Sequence, residues 1–582
     1  MRISQSPILP LAGVLAAFLL AACSPNSSPP GTPKAEQAPP PGPSPAQIAT
    51  TPPPVPVSPP PPPVAEMRAQ AANSNASPMS TVPVASSPEL DALRAASTAT
   101  DREQYAHQED NPVKRVAEQP VSTFSIDVDT GAYANVRRML NAGQLPPRDA
   151  VRVEELINYF DYDYPLPDSR QPPFRVNTEL APAPWNPKTV LLAIGIKGYD
   201  LPKTRLPPAN LVFLIDVSGS MEAPNKLGLL KSSFKLLLQQ LRPEDKVAIV
   251  VYAGAAGVVL EPTAGDQKAK IETALEQLSA GGSTHGSAGI QLAYSLARQG
   301  LVKNGVNRVI LATDGDFNVG TVSFEALKNL VENERKSGVA LTTLGFGTGN
   351  YNDQLMEQLA DAGNGNYAYI DTLQEANKVL VEQMSATLLT IAKDVKIQVE
   401  FNPAQVEEYR LIGYENRLLR REDFSNDAVD AGDIGAGHTV TALYELALKG
   451  SGGALTEPLR YGKAAADDAP RSDEIAFLRL RYKQPDSEAS QLLEWPIRRA
   501  QIAGDWRDTS ERFRFAAAVA GFGQLLRGGR YTGTFGYGDV LMLARDARGA
   551  DPYGYRGEFL SLVGLARSLD AGQGSAGGQA LR

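Results

Sequence analysis

At 582 residues the chain has room for two to four domains, each with a core of its own, and its apolar fraction of 42% is that of a globular protein. A formal charge of -9, with acids and bases mixed along the chain and no concentrated basic patch, argues against nucleic acid as a partner. One cysteine excludes an intrachain disulfide, and three histidines (His107, His285, His438) far apart in sequence argue against a zinc site, so a bound metal would be of the oxygen-liganded class of magnesium, manganese or calcium.

The lone cysteine is Cys23. Arg2 gives a short basic start, and residues 8–20 form an apolar run too short to span a bilayer, which fits the core of a signal peptide. The run ends in Leu20-Ala21-Ala22-Cys23, which resembles the bacterial lipoprotein signal. That resemblance implies a signal peptide over 1–22, lipidation of Cys23, export, and a membrane anchor through the N-terminal lipid. Ser24 stands where an inner-membrane retention aspartate would be, which points to the outer membrane of a Gram-negative envelope. Residues 23–105 are rich in Pro, Ala and Ser, with proline runs at 52–54 and 59–63. Such a stretch favours extended polyproline backbone and holds too little apolar surface to fold, so it is expected to be a disordered tether.

Ordered sequence is expected from about 112, with a small α+β region over 112–203. It begins with the strand-like Phe124-Ser125-Ile126-Asp127-Val128, followed by helical spacing over 136–145 and 151–160 and strands near 174–180 and 189–196. Residues 209–385 change rhythm. Leu211-Val212-Phe213-Leu214-Ile215 is a continuous apolar run, the pattern of a strand buried on both faces. Pro224 opens a helix that Pro243 closes. Strands are expected at 247–252, 258–260, 309–312 and 341–346, and helices at 268–278, 288–298, 324–336 and 373–384. This alternation predicts an α/β fold with a doubly wound, mostly parallel sheet, whose ligands bind at the carboxyl ends of strands. A second α+β region over 390–570 is expected to hold antiparallel strands at 395–401, 440–448, 475–482 and 491–496, then helices at 508–526, 537–547 and 555–568. The Gly- and Ala-rich tail 571–582 is expected to be disordered.

Three short segments fall on loops at one expected edge of the central sheet: Asp216-Val217-Ser218-Gly219-Ser220, Gly281-Gly282-Ser283-Thr284 and Thr313-Asp314-Gly315-Asp316. Each alone has a plain structural account as a turn or a helix cap. Together they offer carboxylates and hydroxyls, the donor set of a hard cation of magnesium type. The ordered trio on an α/β pattern resembles the metal-ion-dependent adhesion site of a von Willebrand factor type A (VWA) domain over 209–385. The resemblance implies metal ligation by Asp216, Ser218, Ser220, Thr284 and Asp314, the hydroxyls directly and the aspartates often through water. It implies Mg2+ as the cation, with Mn2+ or Ca2+ as alternatives, and an open position that accepts an Asp or Glu carboxylate from a protein partner. The flanks resemble the regions that accompany this domain in a group of bacterial lipoproteins, through Phe124 to Thr130 and on to Tyr159, and through Asp433-Ile434-Gly435-Ala436-Gly437-His438-Thr439-Val440.

Other patterns compete. Asp314, Asp316, Asn318 and Glu325 mimic an EF-hand loop, but its glycine falls one place late, at Gly320, and a strand precedes it; Asp316 is retained as an accessory to the cation. Asp129-Thr130-Gly131 matches an aspartic-protease signature without its second copy, and Asp127-Val128-Asp129 resembles the motif of two-aspartate phosphatases but has Gly131 in the wrong place. Both fit better as a strand-to-helix turn capped by Asp129 or Thr130. No nucleophile elbow surrounds Ser218 or Ser220, and no general acid or base is identifiable, so the chain is expected to bind and not to catalyse. A metal-assisted hydrolase, or a structural envelope protein whose cation only fixes its loops, are the alternatives.

Overall fold

Strands that are apolar on both faces need cover on both sides, and the central third of the chain supplies it from its own helices. The structure, a computed structural model, describes residues 103–282, 286–315, 324–457 and 473–579. Six of the described strands form one sheet: β1 (Ala209–Asp216), β2 (Lys246–Tyr252), β3 (Ala256–Ala264), β4 (Val306–Thr313), β5 (Ala340–Phe346) and β6 (Tyr367–Ile370). Their order is β6-β5-β4-β1-β2-β3, parallel throughout except for β2 with β3.

Alternate residues of β1 serve two cores. Leu211, Phe213 and Ile215 pack with α1 (Leu229–Gln240) and α2 (Lys268–Glu276). Val212 and Leu214 pack with α3 (Gly286–Gln299), α4 (Phe324–Arg335) and α5 (Asp353–Ala362). The chain runs outward from β1 to β3, then crosses to the other side of β1 to lay down β4. That reversal makes the gap between β1 and β4 a topological switch point, where a crevice opens beyond the strand ends. β6, α5 and the strand Val406–Ile412 carried no sequence expectation.

The segments on either side of the central sheet interleave. Strands Phe174–Ala183 and Asn186–Gly198 continue into Thr439–Leu448 and Val406–Ile412 as one antiparallel sheet, edged by Lys114–Arg115. A facing sheet pairs Val121–Ser125 with Thr390–Phe401, which runs on to Glu474–Lys483 and Ser490–Arg498. Phe124, Ile196, Val399 and Tyr444 fill the space between the sheets. Helices Gly131–Asn141 and Val153–Asn158 join Glu511–Leu526 and Tyr537–Asp546 in a helical layer against the outer face of the first sheet. The stretches expected over 112–203 and 390–570 therefore share their cores, because neither covers both faces of its strands alone.

Several expectations shift. The helix expected over 136–145 begins at Gly131, where an added Cβ would come within 2.2 Å of the Tyr367 ring. Glycine here serves close packing of helix on sheet. The helix expected over 373–384 breaks into Leu373–Asn377, a π turn at Lys378–Glu382 and a last turn, Met384–Leu388. The expected tether ends before 105: Gln104 bridges to Asn352, and the Glu103 carboxylate accepts the Gly349 N–H at 3.0 Å and Arg138 at 2.7 Å. The expectation of disorder over 571–582 is corrected for 571–579 by helix Tyr555–Gln579, since a formed helix extends at little cost, and 580–582 lie outside the described residues. No described helix is long and apolar enough to cross a membrane.

Candidate metal site

β1 delivers Asp216 to the switch point fully buried. Its Oδ1 accepts the Ser218 N–H at 2.8 Å, a local turn that folds the loop back over the strand end. Its Oδ2 accepts the hydroxyls of Thr313 at 2.9 Å and Tyr252 at 3.2 Å. These partners tie β1 to both of its neighbours and none of them is charged. Burial pushes the Asp216 carboxyl up to about 6 against the hydrogen bonds from Ser218, and nearby Asp314 pushes in the same direction.

Beyond Asp216 the chain enters a short 3-10 turn, Gly219–Glu222. The buried Ser218 hydroxyl lies 3.0 Å from that of half-buried Ser220. Two backbone bonds lace this loop to the next: Gly219 N–H donates to Gly282 O at 3.1 Å, and Gly281 N–H to Val217 O at 2.8 Å. Gly282 has φ +85°, a conformation that glycine adopts freely and that turns the second loop alongside the first.

β4 ends at Thr313, and the next residue, Asp314, is buried. Its Oδ2 accepts Lys226 Nζ at 2.8 Å and Asn350 Nδ2 at 3.2 Å. Gly315 follows at φ +85°, where a Cβ would lie 2.5 Å from the Asn352 nitrogen.

Asp216, Ser218, Ser220 and Asp314 thus gather at the carboxyl ends of β1 and β4. Thr284 and Asp316 lie outside the described residues, as do His285 and Cys23. Sequence reasoning missed Tyr252, Lys226 and Asn350. Tyr252 looked like an ordinary strand residue, and Lys226 sits inside an apolar helix pattern. Asn350 is joined to the site only by the return of the chain after β5.

The donor set fits a hard divalent cation. Among the described residues it combines carboxylates with hydroxyls and holds no sulfur or imidazole, and the Asp216 carboxylate has no cationic neighbour bonded to it there. Among those residues no group of three or more His, Cys, Asp or Glu side chains could hold a metal ion without other donors.

The Asp129-Thr130-Gly131 segment is structural. Asp129 Oδ1 accepts the Tyr367 N–H at 2.8 Å at the start of β6, and Oδ2 meets Arg417 at 3.3 Å. The expected helix cap is corrected: Thr130 occupies the cap position without a side-chain bond, and the Ala132 N–H donates to Glu155 at 2.7 Å. The Asp129 carboxyl is used between segments, accepting the backbone N–H of Tyr367 and the guanidinium of Arg417.

Comparison with known proteins accounts for most of the chain. Residues 211–316 match the von Willebrand factor type A domain family, 99–193 match a family described as von Willebrand factor, and 386–569 match one described as the C-terminal region of uncharacterized protein YfbK. The uncharacterized protein YfbK of Escherichia coli (strain K12) is 50% identical over 471 residues, 79% of this chain and 80% of that protein. Uncharacterized protein sll0103 of Synechocystis sp. (strain ATCC 27184 / PCC 6803 / Kazusa) is 29% identical over 215 residues, 36% of this chain and 50% of its own. Among solved structures, the von Willebrand factor type A protein of Catenulispora acidiphila aligns with 67% of this chain and 89% of its own at 17% identity and TM-score 0.37. With a switch-point site on a doubly wound sheet and half of its residues shared with YfbK over most of both chains, this protein belongs to the YfbK family of VWA-domain proteins.

Proposed function

We propose that the protein is a lipid-anchored, exported component of the cell envelope, and that its central domain binds a partner protein through a divalent cation, Mg2+ in the first instance. The observation that supports this reading best is the gathering of Asp216, Ser218, Ser220 and Asp314 at the switch point, with the two serine hydroxyls 3.0 Å apart on a loop laced to its neighbour. A VWA domain is a protein-interaction fold, and among the described residues no group in this site is placed as a general acid or base, so binding fits better than hydrolysis.

In this reading Ser218 and Ser220 offer oxygens to the cation directly, with Thr284 as the third hydroxyl. Asp216 and Asp314 supply the compensating charge from a buried position. Hydrogen bonds from Thr313, Tyr252 and the Ser218 backbone fix the orientation of Asp216. A bound cation would supply one electrophilic position for a carboxylate of the partner. Cys23 as the lipidated residue and the segment between it and Glu103 as the spacer would hold this surface away from the membrane. Calorimetric titration of Mg2+, Mn2+ and Ca2+ into the soluble portion, beside an Asp216→Ala/Ser218→Ala variant, tests the site. Heat that the variant abolishes supports the cation; silence in both proteins defeats it.

A further inference from the structure

The site already contains a cation. Lys226 lies in the kinked turn Pro224–Gly228 that precedes α1, and its side chain is 8% exposed. Its Nζ sits 2.8 Å from Asp314 Oδ2 and 2.9 Å from Asn350 Oδ1, and Asn350 donates to the same Asp314 oxygen at 3.2 Å. The lysine stem reaches this point through a slot made by bare backbone. At Gly347, which has φ +78°, an added Cβ would lie 2.4 Å from both Cγ and Cε of Lys226. Among the described residues no such amine reaches Asp216, whose hydrogen-bond partners there are neutral. The positive charge is therefore built in on one side of the crevice, against one of its two carboxylates.

Charge counting gives this arrangement a consequence, which rests on the divalent-cation reading above. Among the described residues, two carboxylates and a divalent cation sum to zero, and the hydroxyls add nothing. With Lys226 these groups carry a charge of +1, and the carboxylate of a partner brings them to neutrality.

We infer that Lys226 is a resident counter-cation that weakens the hold of the site on its metal and, once metal is bound, selects an anionic group on the partner. Like charges a few ångströms apart in a buried crevice repel, so the lysine opposes binding of the metal. The same charge attracts the incoming carboxylate, and the two effects have opposite signs in one residue.

The test uses the soluble portion with Lys226→Gln, which keeps a donor for Asp314 and removes the charge, and Lys226→Arg, which keeps the charge. Mg2+ affinity is measured by calorimetry in chloride and in acetate buffers of equal ionic strength, acetate standing for the partner's carboxylate. Thermal unfolding confirms that each variant is folded, and an unfolded variant is replaced by Lys226→Met, equally uncharged. In chloride, K226Q should bind Mg2+ about tenfold more tightly than wild type, with K226R close to wild type. Acetate should tighten Mg2+ binding severalfold in wild type and less in K226Q, because each ligand raises the affinity of the other. Unchanged or weaker Mg2+ binding in folded K226Q overturns the competition and leaves Lys226 as a prop for Asp314. An equal acetate effect in both proteins, or none in either, overturns the selection. Absence of Mg2+ binding in wild type and variants alike sinks the metal reading itself, a result distinct from the other two.

Discussion

Two regions of this molecule bury carboxylates, and they neutralise them differently. Where the N-terminal segment meets the central domain, arginines do it. Arg152 pairs with Glu155, Asp353 and Glu357, and Arg417 reaches Asp127, Asp129, Glu357 and Asp361. Arg137 joins Asp371 and Glu375 of the central domain to Glu558 of the C-terminal helix. At the switch point, by contrast, the described donors to Asp216 are neutral, and Asp314 accepts a lysine, Lys226. A guanidinium is a fixed counter-ion that never leaves and carries enough donors for several acids at once. The junction is thus welded, while the crevice keeps a negative site that an exchangeable ion can fill.

The largest expected effect breaks the welded side. Arg152→Met leaves Glu155 and Asp353 buried without their counter-ion and should cost about 3 to 5 kcal/mol of unfolding free energy. Denaturant titration checks it, and a loss under about 1 kcal/mol would mean that the junction is no more than a surface-type pairing.

The same operation on the other side should have the opposite sign. A carboxyl pushed from 3.8 up to about 6 by burial disfavours the folded state at neutral pH. Because the folded value is raised, this penalty is absent below the unfolded value, grows as pH rises between the two, and is complete above about 6. Asp216→Asn should therefore stabilise the metal-free protein at about pH 7 by on the order of 2 kcal/mol, and abolish any stabilisation by Mg2+. A variant less stable than wild type without metal would erase the contrast between the two regions.

A third group, the half-buried His438, avoids charge altogether. His438, in the Gly-rich segment between the flanks, accepts the Gly435 N–H at Nδ1 at 3.2 Å, so it is neutral in the fold. Burial, with Lys197, Arg308 and Lys378 nearby, lowers its value from 6.5 to about 3. The unfolded chain takes up the proton first, so stability falls as pH drops from above 6.5 toward about 3. Between about pH 7 and 5 wild type should lose about 2 kcal/mol more than His438→Gln, followed by thermal unfolding in the two buffers. Asp433, raised by burial to about 7, titrates in the opposite direction in both proteins and cancels in the subtraction.

How much of this was legible in the sequence follows from range. The parallel sheet and its loops announce themselves locally, because a strand buried on both faces is apolar at every position, as 211–215 is, and because Asp216, Ser218 and Ser220 lie within five residues. The welded junction is invisible at that range. Arg417 lies 290 residues from Asp127, and nothing near either marks the other as its partner. The interleaving of the flanks was hidden for the same reason, since strand Asn186–Gly198 finds its neighbour Thr439–Leu448 only after the central domain has been laid down between them. Lys226 was masked by its surroundings: a lysine in an amphipathic helix pattern reads as a solvated face until the slot at Gly347 is seen.

The smallest expected effect on stability gives the sharpest view of the site. Ser220 is half-buried, and among the described residues its hydroxyl has one side-chain partner, Ser218 at 3.0 Å. Ser220→Ala leaves no buried charge unpaired and empties no core, so its cost should stay below about 0.5 kcal/mol. It removes one of the few oxygens that can touch a cation directly, and hard cations bind by the number and charge of such oxygens. Mg2+ affinity should then fall about tenfold while the unfolding curve stays in place. A matched fall in both quantities would show that the hydroxyl holds the loop together, and the separation of the two is what marks it as a ligand.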